Sequence, residues 1–523
     1  MSRLRWWAFA AIVTLAASLR VPALDLRPMH ADEAVHAAKF GDLLERGEYQ
    51  YDPQEYHGPT LAYLTLIPAR VQGAARYADL DEFTLRSVPA AMGVLLVAAH
   101  LLLVPVVGFR PAALSAVFAA VSPAMVYYSR YYIHETLLVA FSFGALVSIC
   151  RYLQAPRVAW AIAAGTSIGL MVATKETWVI AFGSMAGALV LAWSLGPGHQ
   201  ARQGPRELRR AAVHLAAAAL CGIIVACLFF SSFFRHPQGM VDSVAAYATY
   251  LARAGADSWH VHPWHYYIGL LLFTGSDGGP AWTEAVILAL ALAGLILGFA
   301  RRGGRGSDRR PLVLLSAYAV LMAVVYAAIP YKTPWCALGF LHAFVLLAGV
   351  GGTRLLAALP APRLRPIAAV LLGAAIGHLG WLAWAGSFRF ASDPRNPYVY
   401  AHTGPGVFEI ARRVEALARA HPDGAAMPVE VISAQNLWPL PWYLRRFPAV
   451  RWETAPVNDG VHAPVILATP EMEGAIREKL FEWRPPGERE LYVPMFDRPV
   501  ELRPRVEVRG FAAKSLWDVA ELR

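Results

Sequence analysis

Two adjacent carboxylates, Asp32 and Glu33, stand in the stretch "LDLRPMHADEAVHAAKFGDLLERGEYQYDPQEYHGPT", residues 24–60, which also carries His30, His36, Glu55 and His57. Imidazoles and carboxylates are common ligands of divalent metals, so His30, His36, His57, Asp32 and Glu55 could hold such an ion, although their spacing fits no stringent motif. Asp32 could instead cap an amphipathic helix running from Glu33 to about Arg46, with Glu33 in the first turn, where the helix dipole favours negative charge. Successive helical positions point about 100° apart. The two carboxylates therefore would not share one target, and Glu33 is expected to orient a neighbour or bind a partner.

So polar a stretch is out of character with the chain that carries it. Of 523 residues, 57% are hydrophobic and 16% charged, against roughly 25% charged in an average soluble domain. This composition predicts a polytopic membrane protein, in which the net charge of +10 reflects cytoplasmic loops rather than a nucleic-acid partner. Cys150, Cys221, Cys227 and Cys336 all fall inside apolar runs, which gives no disulfide or zinc framework. A hydrocarbon core needs about 20 apolar residues per helix. Eleven segments qualify, near 6–24, 88–107, 112–127, 136–153, 158–173, 178–195, 212–232, 281–299, 312–329, 336–353 and 367–386.

Arginine placement sets the expected orientation. "GPGHQARQGPRELRR", "RRGGRGSDRR" and "TRLLAALPAPRLRP" are expected to face the cytoplasm, together with the N-terminus. The first loop, 25–87, and the tail from 387 then lie outside. The domains expected are 1–386 in the membrane and an extracytoplasmic 387–523. In that tail "PVEVISAQNLWPLPWYLRRFPAVRWE" and "APVILATPEMEGAIREKLFEW" alternate strand-like and helix-like runs, as a small α/β domain does. No glycine-rich phosphate loop occurs, which argues against a nucleotide-binding domain.

Polar groups at membrane depth are costly and tend to be functional, and here they cluster at the outer ends of spans. "YYSRYYIHET" supplies Arg130, His134 and Glu135; "ATKETW" supplies Lys175 and Glu176; "AIPYKTPW" supplies Lys332. The fold could gather these loops over one cavity. His260, His262 and His265 in "DSWHVHPWHYYIG" read as part of an interfacial aromatic belt.

A first outer loop opening on Asp-Glu, the later His57-Gly58-Pro59, the outer "SRYYIHE" and more than ten spans resemble the GT-C glycosyltransferases. The likeness is greatest to the protein-mannosyltransferase and aminoarabinose-transferase branch, and within it to a prokaryotic flippase-activity-associated family, which "NLWPLPWYLRR" also resembles. Where the mannosyltransferases tend to have His-Pro-Pro, this chain has His-Gly-Pro, which points to a different acceptor. The resemblance implies a mainly α fold, a GT-C bundle of about eleven transmembrane helices with a long first outer loop and a small C-terminal α/β domain. It implies a cell-envelope enzyme of the cytoplasmic membrane that transfers a sugar, with inversion, from a polyprenyl-phosphate donor to a lipid, glycan or protein acceptor. Asp32 then resembles the catalytic base, with Glu33 beside it. Arg130, Lys175 and Lys332 would hold the donor phosphate, the first as a bidentate fork and the lysines as compact charges. His57, Glu135 and Glu176 would orient the acceptor or the site. Some members use a divalent metal and others do not. The alternative is a transporter or flippase of lipid-linked saccharides, but transporters place their binding groups near the midplane, with repeat symmetry between halves, and neither pattern is visible in this sequence.

Overall fold

The computed structural model describes residues 2–54, 57–195, 205–254, 260–299, 309–458, 462–483 and 485–521. These form two compact units. The first comprises 1–24, 42–73 and 83–400; the second comprises 25–41, 74–82 and 401–523. The second unit therefore takes in two pieces of the first loop as well as the tail, and the tail's share begins at Ala401.

The first unit is helical. Its elements are α1 (Arg3–Arg20), the C-terminal part of α2 (Ala31–Arg46), α3 (Thr60–Gln72), α4 (Glu82–Ala99), α5 (Val104–Val107), α6 (Phe109–Val121), α7 (Pro123–Tyr128), α8 (Glu135–Gln154) and α9 (Val158–Val172). There follow α10 (Trp178–Leu195), α11 (Pro205–Phe230), α12 (Gln238–Ala254), α13 (Tyr266–Leu272), α14 (Ala285–Phe299), α15 (Arg310–Ala328), α16 (Leu338–Ala358) and α17 (Leu364–Trp384). Each of the eleven expected spans falls on helical residues, two of them, 88–107 and 112–127, divided between successive helices. Among the described residues seven helices are long and apolar enough to cross a membrane, and α6, α9 and α14 are shorter apolar ones. The chain is a multi-pass membrane protein.

Two expectations need correcting. The span expected over 112–127 is two helices, α6 and α7, because Ser122 precedes Pro123 and turns out of the helical region (ψ 120°), as a residue before proline tends to do. Pro123 then starts α7, where a missing N–H costs nothing, and Ser122 Oγ caps it by accepting from the Met125 N–H at 3.4 Å. The segment 25–87, in which one amphipathic helix was expected, contains a second as well, α3 beside α2, and α4 already starts at Glu82. Two of the three arginine-rich linkers fall largely on 196–204 and 300–308, outside the described residues, while the third, 353–366, joins α16 to α17.

At the centre stands α16, buried over most of its length and packed by α6, α8, α14 and α15. In lipid, helix association depends on close packing rather than on hydrophobic exclusion, so small residues mark the seams. A Cβ on Gly351 of α16 would lie 2.0 Å from Leu290 O of α14, so only glycine allows these backbones to meet.

The second unit is α/β, as the tail's alternation predicts. Strands β1 (Val429–Ile432), β2 (Val450–Glu453), β3 (Val465–Ala468), β4 (Tyr492–Pro494), β5 (Val500–Arg503) and β6 (Val506–Ala513) form one sheet in the order β2-β1-β3-β6-β4, with β5 also on β6. β1 runs parallel to β2 and β3, while β6 is antiparallel to its neighbours. Both faces of β1 and β3 are buried; β3 accordingly reads as a continuous apolar run, while the one charge in β1, Glu430, is paired with Lys479 at 2.6 Å. Helices α18 (Gly406–Ala420), α19 (Leu440–Tyr443), α20 (Glu473–Arg477) and α21 (Lys514–Glu521) complete the unit.

Candidate functional site

In the second unit, the adjacent carboxylates have been given opposite environments. α2 starts at Ala31, so Asp32 lies in its first turn and is not the cap. Glu33 does that work: its carboxylate accepts the His30 N–H at 2.8 Å and both ends of the Arg27 guanidinium, at 2.9 and 3.1 Å, and it is fully buried. A fork-to-fork pair of this kind fixes orientation as well as charge. Asp32, one position on, keeps 51% of its side chain exposed. Its N–H donates to His30 Nδ1 at 3.1 Å, so a neutral His30 carries its proton on Nε2, and the ring stacks on that of His402 (centroids 5.7 Å apart, planes 6° apart).

The tail residues "NLWPLPWYLRR" hold this segment. The Met29 N–H donates to Tyr443 Oη at 2.8 Å, Trp442 Nε1 donates to Glu82 Oε1 at 2.8 Å, and Arg445 Nη2 donates to Leu80 O at 2.6 Å. Arg503 Nη2 donates to Asn436 O. Burial pulls the Arg503 guanidinium below its ordinary value, and the Asp32 carboxylate opposes that shift through space. Sequence reasoning missed Arg503, which lies some 470 residues from Asp32 in the chain.

In the first unit a second cluster forms where His57-Gly58-Pro59 lies against the turn between α9 and α10. His57 Nδ1 meets Glu176 Oε2 at 2.7 Å, and Tyr51 Oη donates to Glu176 Oε1 at 2.7 Å. His134 Nε2 approaches Gly58 O at 3.0 Å, and the Thr60 N–H donates to Ala173 O at 3.1 Å. A Cβ on Gly58 would stand 2.3 Å from Ala173 O, which explains glycine between His57 and Pro59. Lys175 Nζ forms an ion pair with Glu135 within this cluster. Burial would raise the Glu176 carboxyl, but the His57 charge and the hydrogen bonds of His57 and Tyr51 outweigh it and hold the group down at about 2. Burial likewise pulls on Lys175, and Glu135 more than offsets it, keeping the ammonium above its ordinary value. The loops supplying His57, His134, Glu135, Lys175 and Glu176 thus do come together, as expected.

The remaining cations are held by backbone oxygens. Arg130 donates to the carbonyls of Arg20, Pro22 and Ala23 at 2.7–2.9 Å and lies over the Phe388 ring. Arg86, which sequence reasoning passed over, donates to Leu24 O at 2.6 Å. Both guanidiniums thereby gather the carbonyls that follow α1, in keeping with cations at a helix C-terminus. Lys332 is buried, and its Nζ donates to the carbonyls of Ile329 and His262. Among the described residues no carboxylate lies within ion-pair distance of it, and burial pushes the ammonium down. His260 and His262 both reach Tyr400 Oη, at 2.8 and 3.3 Å. The His260 carbonyl also accepts the Lys332 N–H at 2.7 Å, so this segment braces the Lys332 loop.

A further buried carboxylate, Glu284, was hidden at the start of an apolar run. It accepts from Ser122 Oγ at 2.7 Å, the Ala124 N–H at 2.9 Å and Tyr398 Oη at 3.2 Å, and so ties the start of α7. Among the described residues no three of His, Cys, Asp and Glu are placed to hold one metal ion. His30 and His36 lie in the second unit and His57 in the first, and Glu55 lies outside the described residues.

Residues 64–237 match the dolichyl-phosphate-mannose-protein mannosyltransferase family. No curated protein matches the sequence. Among solved structures, that of ArnT from Cupriavidus metallidurans bound to undecaprenyl phosphate is 15% identical, with a TM-score of 0.63 over 97% of this chain and 98% of that one. The apo form of the same enzyme gives 16% identity and a TM-score of 0.62 over 98% and 99%. The archaeal oligosaccharyltransferase AglB from Archaeoglobus fulgidus, in complex with an inhibitory peptide and a dolichol-phosphate, is 14% identical, with a TM-score of 0.57 over 90% of this chain and 70% of that one. The chain therefore has the GT-C fold of these membrane enzymes.

Proposed function

We propose that the protein is a membrane glycosyltransferase that moves a sugar from a polyprenyl-phosphate carrier to a hydroxyl of a lipid, glycan or protein acceptor, outside the cytoplasmic membrane. The observation that carries this reading is the division of labour between Asp32 and Glu33. One carboxylate is wholly committed to structure, while the other is left half exposed in the first turn of α2, where the helix dipole favours negative charge. The matched folds, whose solved examples bind undecaprenyl phosphate and a dolichol-phosphate, supply the donor class.

The reaction would run as a single displacement. Asp32 accepts the proton of the acceptor hydroxyl as its oxygen bonds to the anomeric carbon. The bond from that carbon to the phosphate oxygen breaks on the opposite side, its electron pair leaves with the polyprenyl phosphate, and the configuration inverts. Charge developing on the phosphate needs preorganised cations. Lys332 is the first candidate, because its ammonium is buried against carbonyls and no carboxylate of the described residues lies within ion-pair distance of it. Lys175 reaches a phosphate only while shared with Glu135, and Arg130 only by giving up carbonyls after α1, so both are assigned secondary parts. His57, Glu176 and Glu135 orient the loop that carries them, and Glu33 positions Asp32. A divalent ion, where present, would add charge at the phosphate.

The test is a panel of undecaprenyl-phosphate hexoses, pentoses and aminopentoses, labelled in the sugar and offered to the purified protein in nanodiscs with a cell-envelope extract. The reading expects label to leave the carrier for one donor, with an equal amount of undecaprenyl phosphate appearing. Label remaining on the carrier throughout, while the intact donor crosses the bilayer of proteoliposomes, would instead identify a transporter.

A further inference from the structure

Where α11 ends, the chain does something unusual. Ser232, Phe233 and Phe234 have φ of 51°, 55° and 69°, three consecutive non-glycine residues in the left-handed region. Each such residue is disfavoured by contact of its Cβ with the backbone, and runs of them persist only where surrounding structure enforces them. Here the enforcing contacts are visible. The Phe233 N–H donates to Leu228 O at 2.8 Å and the His236 N–H to Ser231 O at 2.9 Å. Ser232 Oγ accepts the Tyr49 N–H at 2.8 Å and pairs with Tyr63 Oη at 2.6 Å. Strain held in this way points to a function at the turn rather than at a distance from it.

The turn forms one wall of a cavity of about 310 Å³, whose lining includes Tyr63, Arg70, Ser232, Phe233 and Arg235. The two arginines are its charged lining residues, and no carboxylate is among those described there. Arg235 donates Nη1 to Gly47 O at 2.8 Å, which leaves most of its five N–H groups available. Arg70 makes no side-chain hydrogen bond or ion pair among the described residues, and it lies in the last turn of α3. Phe233 of the lining and Ile67, Val71 and Phe234, each next in the chain to a lining residue, are exposed by 49%, 64%, 86% and 68%. Large apolar side chains beside two guanidiniums, at the end of a helix long enough to cross a bilayer, have the chemistry of the boundary between acyl chains and headgroups.

We propose that this cavity is a seat for the phosphate of an anionic bilayer phospholipid, gripped by Arg70 and Arg235 and with its acyl chains along Ile67, Val71 and Phe234. Charge decides the occupant: the lining carries two guanidiniums and no carboxylate, and although Glu48 acts through space on Tyr63 as Arg235 does, the excess of positive charge favours a phosphodiester carrying net negative charge over a zwitterionic headgroup. The seat is distinct from the groups assigned above to glycosyl transfer, so it stands or falls independently of that reading.

The test is native mass spectrometry of the purified full-length protein with equal amounts of phosphatidylglycerol, phosphatidylcholine and undecaprenyl phosphate. The wild type should retain phosphatidylglycerol preferentially. Arg70→Gln, whose side chain holds nothing in the protein, should lower that retention by about fivefold, and Arg70→Gln with Arg235→Gln by about 25-fold, on the usual contribution of a basic residue at an anionic membrane surface. An Arg412→Gln control should change nothing. Phosphatidylglycerol retention equal in wild type and Arg70→Gln would overturn the proposal even if the double variant failed to fold. Preferential retention of undecaprenyl phosphate, lost in the same variants, would overturn it too by assigning the seat to the carrier.

Discussion

Asp32 and Glu33 are adjacent in the chain, yet Asp32 is half exposed and Glu33 fully buried, and variants should separate them. Asp32→Asn keeps size and polarity, so melting temperature should be unchanged while transfer falls by about 100-fold or more, the scale for loss of a positioned base. Glu33→Gln leaves Arg27 buried with a neutral partner. It should destabilise the protein by about 3 kcal/mol, seen as a lower melting temperature; an unaltered melt would remove the structural role assigned to it. Glu176 makes a prediction in pH. Its carboxyl is held at about 2, below the ordinary 4.5, so the stability it contributes is present above 4.5 and lost as pH falls toward 2. Thermal unfolding between those values should therefore depend on pH more steeply in the wild type than in Glu176→Gln, and parallel curves would contradict the assignment. The residue types and their placement at span ends were legible in the sequence. What was not legible was which of them are already engaged: nothing local to Arg130 announces that its guanidinium is taken up by carbonyls more than 100 residues away, at Arg20, Pro22 and Ala23.

The helices could be read because lipid demands long apolar runs, and each expected span is helical, although 112–127 is broken between α6 and α7. The elements that place the candidate site could be read only in part. α2 was expected from its amphipathic pattern, but its start was put two residues late, at Glu33 rather than Ala31, since Asp32 resembles a cap and Glu33, reaching back to the His30 N–H, takes that role. α3 went unread because its thirteen residues carry no polar face to set a period. Gly58 tests the element-scale account. Its backbone touches the turn after α9, so Gly58→Ala must push His57 away from Glu176. Transfer should drop by about 10-fold or more, on the usual sensitivity of a reaction to displacement of about 1 Å, with expression retained. Full activity in Gly58→Ala would show that this packing does not position the site. The motif "NLWPLPWYLRR" stood out in the sequence, but its purpose is a long-range one: Tyr443, Trp442 and Arg445 hold residues of the first loop that are about 360 to 410 positions away.

For the molecule as a whole, composition was enough to indicate a membrane bundle with an α/β tail. The sharing of the first loop with the C-terminal unit was not visible, because contacts across hundreds of residues leave no periodic trace. The orientation inferred from arginine placement predicts that cysteines introduced at Ser392 and Asp423 react with an impermeant thiol reagent in spheroplasts, while one at Arg363 does not; the reverse pattern would invert the topology. The central claim is that a carboxylate of the first loop drives transfer of a sugar from a lipid phosphate. The most direct measurement of it is single-turnover transfer from the preferred labelled undecaprenyl-phosphate sugar in nanodiscs, by wild type and Asp32→Asn at matched donor occupancy. The account predicts stoichiometric release of undecaprenyl phosphate by the wild type and a rate lower by about 100-fold or more in the variant, with donor binding preserved. Equal rates in the two proteins would contradict it.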